Sequence, residues 1–185
     1  MSLTKKLASV ALASIVCVGS VAHAAENTSL LDSHHRALIS TIEETGVRVY
    51  VNPSVCAKEE GVNGFYISNG GVFVVCQDNA SSDGKEVKWT SNDLDTIRHE
   101  SVHLLQDCID GRGNNTLHAI IPKTLDRMVA AFQILGSDAI KIINRYRSRG
   151  ASDVEINMEL EAFSFARAVP ASEIEKKVRQ VCLTK

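Results

Sequence analysis

Apolar and polar positions follow two different rhythms along this chain, and the change of rhythm divides it. Leu30, Leu31, Leu38, Ile39 and Ile42 recur at helical spacings over residues 29–45, and the pattern stops before Gly46. Residues 47–51 alternate with period two until Pro53, as a strand does. Residues 65–67 and 72–76 are β-rich runs on either side of Ser68, Asn69, Gly70 and Gly71. Asn-Gly is a hairpin signal because both residues tolerate positive φ. Residues 78–90 are polar and loop-like, and from Ser91 onward the period becomes helical. Helices are expected near 92–109, 122–135, 138–148, 153–168 and 173–182. Ser152-x-x-Glu155 and Ser172-x-x-Glu175 have the form of capping boxes at the last two starts. The pattern predicts an α+β fold: an N-terminal helix, a small antiparallel sheet with a hairpin, then a helical half.

Composition changes this picture only at the N-terminus. Lys5 and Lys6 precede an apolar run over residues 7–21, which closes on Ala22-His23-Ala24. That is the form of a signal peptide cleaved after Ala24. The run is short for a membrane span and diluted by Ser9, Ser14, Gly19 and Ser20. The expectation is a signal peptide over 1–24, a single domain over 25–185 and a secreted or periplasmic protein with no stable membrane anchor. The 185 residues include 20 basic and 22 acidic side chains, and no basic surplus recommends nucleic acid as a partner. Cys56, Cys76, Cys108 and Cys182 lie beyond the signal, and an oxidising compartment would pair them as two disulfides. If the strands of 47–51 and 72–76 share a sheet, Cys56 and Cys76 can meet. Cys108–Cys182 would then tie the terminal helix to the helix of 92–109.

That helix carries the chemistry. It contains His99-Glu100-Ser101-Val102-His103, an H-E-x-x-H sequence. A four-residue step is about one helical turn, so both imidazoles project from one face and can share one zinc ion. Glu100 lies about 100° round the helix, beside that face, where it can act on water without ligating the metal. Shuffling the composition yields about 0.01 such matches per chain, so the spacing is informative. Thr96, Ile97, Ser101, Val102, Leu104 and Leu105 around the motif are all uncharged, as suits a helix buried beneath a metal site.

A catalytic zinc site needs a third protein ligand. His34, His35 and His118 are nominal candidates. A helical wheel over 153–168, however, places Glu159 amid Ile156, Ala162, Phe163 and Ala166. A carboxylate in an apolar stripe costs several kcal/mol unless a metal or counter-charge matches it. Glu159 is therefore the chosen ligand, and Glu161, nearer the polar margin, is the second choice. Glu155 shares the stripe but is explained by its capping box. Arg145, Arg147 or Arg149 could alternatively supply a counter-charge to Glu159.

His99-Glu-x-x-His103 with a later helical Glu resembles the gluzincin branch of the zinc metallopeptidases, which includes the thermolysin-like enzymes. Glu159-Leu-Glu-Ala162-Phe163-Ser-Phe-Ala166 matches the Glu and both Ala positions of the Glu-x-x-Ala-Asp-x-x-Ala phrase found in several members. Phe163 departs from it, standing where the family often has an Asp that supports a zinc-bound His. Asp95 and Asp107 are the candidates for that support. Gln106 and Ile109 replace the Gly and His of the longer metzincin motif. The resemblance implies Zn²⁺ held by His99, His103 and Glu159, Glu100 as general base, and a peptide or protein substrate. His118, Tyr146 and Arg147 are candidates for stabilising the oxyanion. Residues 72–76 could be an edge strand that aligns substrate, or simply a core strand. The alternatives are an inactive zinc-binding, disulfide-stapled interaction module and a non-peptide zinc hydrolase.

Overall fold

The computed structural model describes residues 30–58, 61–81, 84–109, 111–112 and 116–184. The expected signal peptide lies outside them. The chain runs α1 (Ser33–Glu44), β1 (Arg48–Val51), β2 (Gly64–Ile67), β3 (Val72–Val75), α2 (Ser91–Cys108), α3 (Thr124–Leu135), α4 (Ser137–Ser148), α5 (Asp153–Ala168) and α6 (Ala171–Cys182). The N-terminal helix, small sheet and helical half are all present.

Strand order is β1-β3-β2, with β2–β3 antiparallel and β1–β3 parallel. The sheet is thus mixed rather than wholly antiparallel. Parallel neighbours need a long crossover; here the loop after β1 and strand β2 supply the return path. Of the two readings of residues 72–76, edge strand or core strand, the second holds. Val72–Val75 is the central strand, paired on both sides, so it offers no free edge to a substrate. In that central place Phe73, Val74 and Val75 are all buried. The free edge on the hairpin side belongs to β2. The turn also differs in detail: positive φ falls on Gly70 and Gly71, not on Asn69.

Two apolar clusters organise the packing. The larger gathers Leu38, Ile39 and Ile42 of α1, Phe73 and Val75 of β3, Ile97 and Leu104 of α2, and Ile174 and Val178 of α6. The smaller joins Ala131 and Leu135 of α3, Ala139 of α4, and Ile156 and Leu160 of α5. Cys56 is joined to Cys76, and Cys108 to Cys182 across 74 residues of chain, fastening α6 to the end of α2. The start of α5 has its capping box from Ser152 and Glu155. That of α6 does not, because the helix begins at Ala171 after Pro170 and places Ser172 inside its first turn. Glu175 instead accepts a hydrogen bond from the Thr41 hydroxyl at 2.9 Å and pairs with Arg179.

Candidate metal centre

Helix α2 is aimed by its start. The Thr90 side chain accepts from the Asp93 N–H, and the Asp93 carboxylate accepts from the Thr90 N–H, a reciprocal cap. Asp78 adds to this fixing, accepting from the Thr90 hydroxyl and the Asn92 amide. Beyond the cap the helix runs into the interior, so that His99, Glu100 and His103 are all buried.

The two imidazoles converge as the four-residue step requires. His99 Nε2 and His103 Nε2 lie 3.1 Å apart. Helix α5 delivers Glu159, whose carboxylate oxygens lie 3.3 Å from His99 Nε2 and 3.5 Å from His103 Nε2. One donor atom from each of the three lies within 4.8 Å of the others. Glu159 is 20% exposed while the histidines are nearly closed off, so the cluster opens past the carboxylate.

This donor set fits zinc. Gln106 Nε2 donates to Glu161 at 2.9 Å and to the Met158 carbonyl at 3.2 Å, which fixes the orientation of its amide. Gln106 Oε1 must then accept from His103 Nδ1, 2.7 Å away. With Nδ1 committed as the donor to Gln106, Nε2 is the nitrogen left to face the cluster and to serve a metal. Two imidazoles and a carboxylate with converging lone pairs are the set that Zn²⁺ takes when an open position is kept for chemistry.

Support for His103 therefore comes from Gln106, not from either anticipated aspartate. Asp95 is exposed and pairs with Arg98, while Asp107 accepts from Tyr66 and Ser68 hydroxyls at 2.7 and 2.6 Å, holding the hairpin on α2. His99 Nδ1 is buried without a hydrogen-bond partner, and Phe163 packs its ring against the imidazole at a centroid distance of 4.3 Å. Contact with an aromatic ring stands where the family pattern has a carboxylate.

Glu161, the second choice as ligand, belongs elsewhere. It is fully buried and accepts from Gln106 Nε2 and from the Ile120 and Ile121 N–H groups. It thereby pins the loop before α3 to the support of His103. Sequence reasoning missed this because a wheel reports which face a residue occupies, not which backbone amides approach that face. Neither His34 nor His35 joins the cluster: the first is exposed, and the second is bonded to Asp32 and Arg98. His118 sits in the α2–α3 connection, its N–H donating to the Gln106 carbonyl.

Of the three candidates for oxyanion support, Tyr146 lies beside Glu159. Burial pushes its phenol pKa up, and the neighbouring charges of Glu159 and Glu100 add to this. Arg147 is exposed beside Asp153. Glu100 is also raised, chiefly by burial, while the two histidines pull against that shift and the Tyr66 backbone amide of β2 joins them. Burial would raise Glu159 as well, but both histidines outweigh it and hold the carboxyl far below its usual range. Burial would lower His103, yet Glu159 lifts it to about 9.

Strand β2 lies directly on this helix. A Cβ on Gly64 would stand 2.6 Å from Thr96 Cγ2, 2.7 Å from the Val74 carbonyl and 3.5 Å from Glu100 Cγ. Only a residue without a side chain lets the strand approach so closely.

A family model described as Domain of unknown function (DUF8637) matches residues 28–183. The chain belongs to that family. No curated protein and no solved structure matches it. For this DUF8637 chain, the geometry of the cluster thus carries the functional argument. The His99, His103 and Glu159 set with Glu100 between the histidines matches a gluzincin H-E-x-x-H zinc metallopeptidase site. It supports a catalytic zinc rather than a purely structural one.

Proposed function

We propose that this protein is an exported zinc-dependent peptidase in which His99, His103 and Glu159 hold the metal and Glu100 is the general base. The observation that carries the reading is the convergence of three ligand atoms within 4.8 Å beside a buried carboxylate that is not one of them. A structural zinc site would close its fourth position and would have no use for Glu100.

Zinc in this cage would supply a Lewis acid that acidifies water and polarises a carbonyl. The chain's own residues do the rest. Glu100, with its pKa raised by burial, is a stronger base than an exposed glutamate and can take a proton from the attacking water, then hand it to the leaving amine. Tyr146, held protonated, can donate from its hydroxyl to the developing oxyanion. The outer edge of β2 lies beside Glu100 and can align an extended peptide by main-chain hydrogen bonds. Gln106 and Phe163 keep the two imidazoles in place.

Export is supported by the signal-like first 24 residues and by two disulfides, which persist in oxidising compartments. The deciding experiment compares wild type with Glu100→Gln for bound metal and for cleavage of an unfolded polypeptide. One zinc per chain is expected in both, with cleavage reduced by roughly 10²–10⁴-fold in the variant. Zinc without hydrolysis in either protein would establish the stapled interaction module instead. Hydrolysis confined to non-peptide esters or amides would establish the other alternative.

A further inference from the structure

Helix α3 presents Leu125, Met128, Val129 and Phe132 to solvent, at spacings i, i+3, i+4 and i+7. These form a continuous apolar stripe that flanks the buried face of Arg127, Ala131 and Leu135 and faces solvent. Leu125 is 71% exposed, and Ile140 on the adjoining α4 is 53% exposed. Isolated exposed apolar residues need no explanation, but a stripe of four on one helix marks a surface that something covers.

Charge identifies what covers it. Residues 123–149 contain six basic side chains, Lys123, Arg127, Lys141, Arg145, Arg147 and Arg149, against two acids, Asp126 and Asp138. The rest of the chain carries 14 basic and 20 acidic residues. All six except Arg127 are exposed; Lys141 shares Asp138 with Arg167, Arg147 pairs with Asp153, and Lys123, Arg145 and Arg149 stand against Asp126. The α3–α4 hairpin is therefore net positive and carries an apolar stripe, on an otherwise acidic chain.

We propose that the α3–α4 hairpin docks on an anionic lipid bilayer, with the stripe of α3 entering the headgroup boundary and Lys141, Arg145 and Arg149, at i, i+4 and i+8, meeting the phosphates. Apolar burial and cationic attraction are the two contributions that hold an interfacial helix to such a surface. A second copy of this chain fits less well, because a two-fold contact would set the basic hairpin against itself. No described helix is long and apolar enough to cross a membrane, so the contact is with the surface.

The test is co-sedimentation of the purified, oxidised protein with vesicles of phosphatidylcholine alone or with about one-third phosphatidylglycerol. The interfacial-helix picture predicts at least a tenfold preference for anionic vesicles, weakened by high salt. Leu125→Gln with Phe132→Gln should lower that binding about tenfold, and so should Lys141→Glu with Arg149→Glu. Both pairs lie on exposed positions, and unchanged circular dichroism and zinc content would show that the fold is retained. Cleavage of a soluble polypeptide should also be unchanged, so loss of docking and loss of the peptidase reading give separate results. Equal binding to both vesicle types, or equal binding by all variants, would overturn the proposal. So would a dimer in sedimentation velocity that the Leu125/Phe132 pair abolishes, which would assign the stripe to a second copy. Retention on an immobilised acidic protein with no vesicle binding would equally overturn it.

Discussion

Helices α2 and α3 treat polarity in opposite ways. In α2, 13 of 18 residues are buried, and eight of those are polar or charged. In α3, only three of 12 are buried, while Leu125, Met128, Val129, Phe132 and Ile134 are exposed. Burial in this molecule is thus not a ranking of side chains by hydropathy. The polar groups of α2 tolerate the interior because most have partners: Asp93 in its cap, Asp107 under two hydroxyls, Gln106 between His103 and Glu161. A buried polar group with partners costs little, whereas one without them costs several kcal/mol. On α3 the inward positions are Arg127, Ala131 and Leu135, of which the last two join Ala139, Ile156 and Leu160 in the small cluster.

Substitutions can break this contrast. The largest effect is expected at Leu104, fully buried on α2: Leu104→Ala should cost about 2–5 kcal/mol in urea unfolding. A cost below about 1 kcal/mol would mean that the larger cluster is loosely packed around α2. Next is Gln106→Leu, which removes the partner of His103 Nδ1 and leaves Glu161 with one donor fewer. Zinc affinity, measured by competition with a chromophoric chelator, should fall about 10–100-fold. Unchanged affinity would show that the buried amide serves packing alone. The smallest effect is expected at Leu125, where Leu125→Ala should change stability by no more than about 0.5 kcal/mol. A cost like that of Leu104→Ala would mean that the face of α3 is covered within the molecule itself.

The parts legible beforehand share a short range. His99 and His103 are one turn apart on a single helix, so their common face follows from backbone geometry alone. Glu159 could be chosen because a carboxylate within an apolar stripe has few stable explanations, and the structure brings it to the two imidazoles. The capping box at Ser152 is equally local. The box expected at Ser172 was displaced by Pro170, which starts α6 earlier than its serine suggests. The cap that does hold α2 uses Thr90 and Asp93, a variant with Asp in place of the usual Glu or Gln.

What the sequence by itself determined, then, is everything that depends on periodicity within one element: helix and strand type, the face shared by the histidines, and the helix that delivers the third ligand. Tertiary structure decided whatever depends on two elements meeting. It put β3 in the centre of the sheet and β2 at the edge beside Glu100, since strand order depends on crossover paths rather than on strand composition. It put Tyr146 beside Glu159 and Arg147 beside Asp153, as the packing of α4 on α5 sets which face of α4 meets the carboxylate. It made Glu161 a clamp for two backbone amides of a loop 40 residues away. Hydrogen bonds of that kind join groups whose separation along the chain carries no period, so only the folded arrangement specifies them.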